Sequence, residues 1–540
     1  MTRMVPAVPA VIGWTPWQVR AGWLLRSHRL CHADPALRRL AGFARAYCED
    51  PRHATGISPS SLSRWENGLV PVSASAVRRY EDVLGLSACH LLAPIQTVAR
   101  HEGGTTAAAF LRADRSNNPS PSPGPRVEDL LARILDGGVL TGTDWDDLTR
   151  WAAYEGGQIF PGRVRHAVVQ RLLEETVVAG GAAWMRRFEA LSRLLADPLW
   201  GPEAIAVCAD VAQQPEHVGL IETVCALDGS PHPDAGRAVL RQLTDPTTAD
   251  TRYGALLAAA RKTRKHHFTT EQTRTLVDVV DGVLTGPHLS LPPSAAEAAA
   301  VLLHRLPLSA AHRARLTTSA SDGGLALNAI VTHGSLTDPA TAVITVSRVL
   351  GRLDEPGRGP AATILGTLID DLLHHPVADV RLYTAMMLRA SPYGPQIASA
   401  LAADLRRVGV LRTGDRAIPI LHALRVLGGP EQRAVVAGLT LARGVPRAVA
   451  LAAVHALGHI GGRSPETYWR AVFHQHVHAA HGTTDQREVL KRLVYAFAMG
   501  DELELLTRLV AEPETRGMPA RDLSGWWTNL EHHVRDSAQR

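Results

Sequence analysis

Residues 56–68 read GISPSSLSRWENG, and this stretch decides how the front of the chain folds. The hydroxyl of Ser58 can accept an orphan amide hydrogen from the first turn of a helix, and Pro59 follows where a missing N–H costs nothing. Asn67 and Gly68 supply the stop, because glycine takes the left-handed conformation that ends a helix without a Cβ penalty. The stretch therefore predicts a short helix from about Pro59 to Asn67 with both ends marked.

The flanking pieces predict companions. WQVRAGWLLRSHRL, from Trp17 to Leu30, reads as a first helix, and Asp34 with Pro35 caps a second, PALRRLAGFARAYC. Downstream, SASAVRRYEDVLGL starts with a Ser73 cap and sets Val77, Tyr80, Val83 and Leu84 on one face, and a short helix from Ser87 closes the bundle. Four or five helices of this size predict a small all-α unit over residues 14–100, preceded by an N-terminal tail, 1–13.

This unit is where the charge sits. Residues 1–115 hold 14 Arg, no Lys and 8 acidic residues, a net +6, whereas the remainder of the 540-residue chain nets −1. A compact basic unit on a near-neutral body suits a phosphate backbone, since cationic side chains release its condensed counterions.

The order of residues in the marked helix resembles the recognition-helix region of the phage-repressor/Cro (xenobiotic-response-element) family of helix-turn-helix regulators. Leu62, Arg64, Trp65, Glu66, Asn67 and Gly68 fill the family's sequence of apolar anchor, polar reader, aromatic residue and Glu-Asn-Gly. The resemblance implies that Arg29, in the first helix, pairs with Glu66 and braces the recognition helix, with Leu62 and Trp65 as its packing supports. It implies entry of the helix N-terminus into the major groove, with Ser60 and Arg64 reaching base edges and Arg64 able to donate two hydrogen bonds to guanine. Ser58, Ser61, Ser63, Asn67 and Arg38 or Arg39 fall to phosphate contacts, supported by Arg78 and Arg79. Two departures stand out: Pro59 replaces a residue that often reads bases, and CEDPRHAT (48–55) inserts eight residues into the family's tight turn.

Behind this unit, residues 101–126 end in a Ser/Asn/Pro/Gly cluster that predicts a flexible linker holding two parts apart. From 127 to 540, amphipathic helices recur. ADTRYGALLAAAR (Ala249–Arg261) and ADVRLYTAMMLRA (Ala378–Ala390) share Asp, Arg two residues later and an apolar face. AWMRRFEALSRLLADP from Ala183 and VPRAVALAAVHALGHIGG from Val445 are looser versions. These segments resemble HEAT-type repeats, which stack helix pairs into a superhelix with Asp/Arg positions tying neighbours together. The Trp/Tyr/Pro pattern of a tetratricopeptide array does not recur at its period of about 34 residues.

Several function classes find little support. The five cysteines (Cys31, Cys48, Cys89, Cys208 and Cys225) form no CxxC pair, which fits a reducing cytosol and no structural zinc. Pro6 and Pro9 interrupt any secretory h-region, and no run of about 18 apolar residues predicts a membrane span. His474, His478 and His481 share a helix face, with His476 off it, but no carboxylate or cysteine at matching spacing joins them, so no metal is expected. The basic run RKTRKHHF (Arg261–Phe268) reads either as a contact for DNA or an acidic partner or as a solvated helix end, and the acidic pairs in DWDDL (144–148) and GTLIDDLLHH (366–375) as caps and solvated faces. No Walker loop, dinucleotide fingerprint, GxSxG elbow or HExxH is present, so no enzyme and no cofactor are expected.

The expectation is an all-α, cytoplasmic, nucleoid-associated regulator of actinobacterial type. It binds double-stranded DNA as a homodimer, and its repeat domain serves dimerisation or a protein or small-molecule effector. An interaction scaffold with a weak DNA-locating unit, and a HEAT-type nucleic-acid enzyme, are the alternatives.

Overall fold

Ala- and Leu-rich segments punctuated by Gly and Pro leave the chain helix-on-helix packing as its route to a core. The computed structural model describes residues 15–49, 56–116, 125–153, 160–285 apart from 216 and 218, 293–312 apart from 310, 314, 329–330, 333–353, 360–480 apart from 413, 483 and 486–512. Among these residues there are helices and no strand.

The front unit comprises α1 (Trp17–Leu30), α2 (Pro35–Arg38), α3 (Leu40–Cys48), α4 (Pro59–Glu66), α5 (Ala74–Val83), α6 (Leu92–Glu102) and α7 (Gly104–Ser116). The first of the expected helices lies over the residues read for it, and the third lies where its Ser58 cap puts it. The second, expected as one helix over 35–48, breaks at Arg39, which is extended (φ −90°, ψ 134°). The break lets α3 cross close over α2: a Cβ at Gly42 would stand 2.1 Å from the Ala36 carbonyl oxygen. The closing helix starts at Leu92 and not at Ser87, because the buried Glu81 carboxylate accepts hydrogen bonds from the N–H groups of Cys89, Leu91 and Leu92 and holds the preceding residues in a turn.

The repeat array begins with α8 (Pro125–Leu135), α9 (Gly142–Trp151), α10 (Gly162–Val178), α11 (Gly181–Ala196), α12 (Gly201–Val211), α13 (Leu220–Ala226), α14 (Pro233–Thr244), α15 (Ala249–Arg264), α16 (Thr270–Thr285) and α17 (Pro293–Arg305). It continues with α18 (Pro339–Leu350), α19 (Pro360–His374), α20 (Ala378–Ala390), α21 (Gly394–Asp404), α22 (Val408–Leu411), α23 (Gly414–Leu427), α24 (Pro430–Thr440), α25 (Arg447–Leu457), α26 (Glu466–Ala480), α27 (Gln486–Met499) and α28 (Leu503–Val510). Helices pack on the next in the chain and on the next but one. One row runs α10, α12, α14, α16 beside another of α11, α13, α15, α17, and a later row runs α20, α23, α25, α27. This two-row stacking is the layering of a helical-repeat solenoid.

The Asp/Arg positions of the similar helices do not tie neighbouring repeats as expected. They tie the array to itself across long sequence separations: Arg261 of α15 pairs with the buried Asp379 of α20 (Nε to Oδ2 2.6 Å), and Lys491 of α27 reaches Asp250 of α15 at 3.0 Å. The basic run Arg261–Phe268 is accordingly no solvated helix end. Lys262 is fully buried and donates to the Ser230 carbonyl at 2.6 Å, while Lys265 and Arg261 both meet Asp228. Asp144 caps α9 as expected, but Asp146 and Asp371, read as solvated, are buried against arginines.

The linker expected over 101–126 is helical as far as Ser116, and residues 117–124 lie outside the described set. Ala107 and Phe110 recur at helical spacing and are buried, Phe110 with its ring 4.9 Å from that of Trp17. The apolar core of the front unit is also continuous with that of residues 349–510. Helix α6 packs on α11 and α20, and α1 on α19. At this junction Arg20 is fully buried, pairs with Asp371 and donates to Thr384 Oγ1 at 2.9 Å. Arg100 holds Glu189 (Nε to Oε2 2.6 Å), Trp23 stacks on Tyr393, and His28 and His90 both bond the Ala390 carbonyl, at 2.6 and 2.8 Å. A flexible tether cannot keep two bodies apart when their apolar and ionic surfaces are this well matched.

Replacing Arg20 with Leu strands the buried Asp371 carboxylate, which costs about 3–5 kcal/mol. The expected outcome is lost hydrogen-exchange protection in α1 and α6, largely restored when Asp371→Leu is added; unchanged protection in the single variant would show that the pair does not hold the junction. Acidification has a defined sign. Burial pushes His28 down to about 4 and His101 well below its ordinary value, so their contribution is present above about pH 6.5 and lost as the pH falls towards 4. Burial holds Asp371 up at about 6, which acts in the opposite direction between about pH 4 and 6. Burial also raises Asp370 and Glu81, which act with Asp371. The two histidines titrate from the higher reference value, so amide exchange at α1 and α6, corrected for its intrinsic rate, is expected to be faster at about pH 5 than at about pH 7.

Candidate nucleic-acid interface

Helix α4 forms as its sequence directs. The Ser58 hydroxyl accepts from the Ser61 amide at 3.1 Å, Pro59 occupies the first turn, Asn67 is the C-cap and Gly68 is left-handed at φ 67°. The stop also determines the packing. A Cβ on Gly68 would lie 2.6 Å from Val19 Cα, and one on Gly22 would lie 2.4 Å from the Trp65 carbonyl oxygen, so α1 and the end of α4 meet backbone to backbone.

Beneath the helix, Arg29 and Glu66 form the pair that the resemblance implied. It is two-pronged, Nε to Oε1 at 2.6 Å and Nη2 to Oε2 at 2.7 Å, with both side chains buried. The Tyr80 hydroxyl donates to Glu66 Oε1 at 3.3 Å, and the remaining Arg29 nitrogen donates to the Arg38 carbonyl. One guanidinium thus joins α1, α2 and α4, and Tyr80 adds α5. Leu62 is fully buried, and the half-buried Trp65 ring lies 6.4 Å from that of Tyr47.

The opposite face of α4 is open: Pro59, Ser60, Arg64 and Asn67 are exposed, with Ser61 and Ser63 partly so. Ser58 and Ser61 also bond each other through their hydroxyls at 3.0 Å. Asn67 turns back, donating to the Ser63 carbonyl at 2.7 Å and accepting from Arg26 Nη1 at 3.2 Å, so its side chain closes the helix end. Arg38 and Arg39 are exposed, Arg38 donating through Nε to the His32 carbonyl at 2.6 Å. Arg78 is half-exposed on α5. Arg79, expected to support phosphate binding, instead donates to the Ala46 and Tyr47 carbonyls at 2.8 and 3.0 Å and lies over the Tyr47 ring, which makes it the cap of α3. Sequence reading missed Arg26. The signal was available, since Arg26 stands one helical turn before Arg29.

Of the eight-residue insertion, Cys48 and Glu49 are described and 50–55 lie outside the described residues; Cys48 Sγ meets the Ile57 amide at 3.3 Å. His474 pairs with Glu512 at 3.3 Å, and its ring lies 6.3 Å from that of His478. His476 is buried against the Thr440 carbonyl, and His481 falls outside the described residues. Among the described residues no helix is long and apolar enough to cross a membrane.

Substituting Arg29 with Ala leaves Glu66 charged and buried without its partner, at a cost of about 3–5 kcal/mol. Arg64→Ala removes an exposed side chain, with a change within about 0.5 kcal/mol. Chemical denaturation of the two variants is expected to separate them by that margin; equal midpoints would remove the brace from the account.

Comparison with known proteins agrees with this geometry. Residues 53–91 match a family model described as Helix-turn-helix, a span that contains α4 and α5 and reaches the turn before α6. No curated protein matches the sequence. A crystal structure of an engineered protein aligns over 85% of this chain and 98% of that one at 15% identity, with a TM-score of 0.16, which carries no argument about the fold. The matched segment places the front unit among helix-turn-helix, DNA-binding regulators.

Proposed function

We propose that this protein is a sequence-specific transcription regulator whose α4 enters the major groove of double-stranded DNA. The observation that carries the reading is the division of α4 into two faces. One is fixed by the buried Arg29–Glu66 pair and Leu62, and the other presents Ser60 and Arg64 to solvent in a basic unit. A rigid helix with an exposed guanidinium on its outer face suits bidentate recognition of guanine, while the exposed Arg38 and Arg39 suit phosphates.

The repeat domain, of HEAT type in this reading, serves dimerisation, a protein partner or a signal. A homodimer on paired half-sites doubles the charged contacts and sets a spacing of about one helical turn, ~34 Å. Because the front unit is seated on the repeats through buried ion pairs, the dimer fixes that spacing. The protein would act in the cytoplasm, at the nucleoid, without catalysis. Against the enzyme alternative, Arg261, Lys262 and Lys265 of the most basic run are engaged in contacts inside the protein and do not line a groove.

Genome-wide DNA capture with the intact protein, followed by gel-shift salt titrations, tests the reading. Discrete sites sharing a motif are expected. Arg64→Ala should cost about 1–3 kcal/mol on the best site and relax one base position. Arg39→Ala should weaken all sequences alike and lower the salt slope by about one. Diffuse capture, or an Arg64→Ala protein that binds as before, overturns the proposal.

A further inference from the structure

In the second half of the repeat array a cavity of about 720 Å³, open to solvent, lies between α18, α19, the end of α21, α22 and α23. We propose that it is a binding site for a small organic anion with an apolar body. The proposal gives a chemical class to the signal-binding role suggested for the repeat domain, and its test reads ligand binding alone, so either reading can fail without the other.

The size is that of a small-molecule site, and the walls are of two kinds. Leu336, Leu373, Val410, Pro419 and Ile420 supply apolar surface, while Thr341 and Thr345 lie one turn apart along α18. The acids of the wall are largely spoken for. Asp404 has a fully buried side chain and accepts from Arg348 at 2.9 Å and Arg352 at 2.8 Å, so its charge is met within the protein. Asp338 accepts from the Thr341 amide at 2.9 Å as the cap of α18. Asp338 keeps its charge as a cap, so the three acids Asp338, Asp404 and Asp415 stand against four arginines, Arg348 and Arg352 on Asp404 and the exposed Arg412 and Arg416, which make no ion pair among the described residues; the site keeps one positive charge in excess.

The lining also contains an unused polar atom. His374 Nε2 is buried and has no hydrogen-bond partner among the described residues, although an unmet buried polar atom is costly. Arg416 is near enough to His374 to help burial push the imidazole down to about 4, so the ring is neutral and can accept from or donate to a ligand. An apolar body against the Leu/Val/Ile wall, a polar group at His374 and a carboxylate or sulfonate towards Arg412 and Arg416 satisfy all three features together.

The probe is 1-anilinonaphthalene-8-sulfonate, titrated into the full-length protein by fluorescence, with its uncharged relative N-phenyl-1-naphthylamine as the control. Saturable, single-site enhancement of the sulfonate is expected. Thr345→Trp, which fills the cavity from α18, should abolish it, and Arg416→Glu should weaken the sulfonate by about tenfold while leaving the uncharged probe unchanged. Thermal melts of both variants report whether they fold; if Thr345→Trp does not, Arg416→Glu at an exposed position decides. No saturable site in the parent protein, retention by a folded Thr345→Trp, or equal loss of both probes in Arg416→Glu overturns the proposal.

Discussion

Asp379, buried in α20, holds Arg261 of α15 by a two-pronged pair, and Arg261 in turn shares Asp228 with Lys265. Two buried carboxylates and two buried cations are tolerable because each charge faces an opposite one at hydrogen-bond distance; removing any member leaves an uncompensated charge in a low-dielectric interior. Residues 118 positions apart are thereby fixed against each other, and the array is drawn round on itself. The same neighbourhood seats the front unit: Arg100, His101 and Thr97 of α6 line a small gap with Asp228, Arg261, Lys265, Glu189 and Tyr383. The position of the DNA-binding helices thus follows from how buried charge is balanced inside the repeats.

This arrangement separates two mechanical roles within one short helix. Glu66 of α4 is fixed to Arg29 of α1, and α1 is itself fixed to the repeats through Arg20 and Asp371. The line of buried pairs from repeat to recognition helix is short: one turn of α1 lies between Ser27 and Trp23, and Arg20 is less than three turns from Arg29. Arg64 and Ser60, on the far face, take no part in it. A change in the seating of α1 would move the exposed face of α4 as a rigid piece, whereas a change at Arg64 alters that face and not how the helix is held. Such a division suits preorganised recognition, in which the contacting side chains sit on an element positioned by its own packing.

Much of the front unit was legible because its signals are local. The caps Ser58 and Ser73 and the stop at Gly68 act through hydrogen bonds and backbone angles within a few residues, so α4 and α5 start where their sequences predict, and Arg29–Glu66 could be named from the order of residues in one motif. Where a distant partner intervenes, local reading misleads. The late start of α6 depends on Glu81, and the diversion of Arg79 on the open end of α3.

The all-helical class, the basic front unit and the helix that presents Arg64 were legible in the sequence, since periodicity, caps and charge placement are properties of short stretches. Only the packing of distant helices seats the front unit on the repeats, buries Arg261 and Lys262 and opens a cavity beside His374. The physical reason is common to all three. Whether Asp371, Asp379 or Asp228 faces water or an arginine depends on which helix arrives opposite it, from scores of residues away, and nothing within a turn or two of the carboxylate records that arrival.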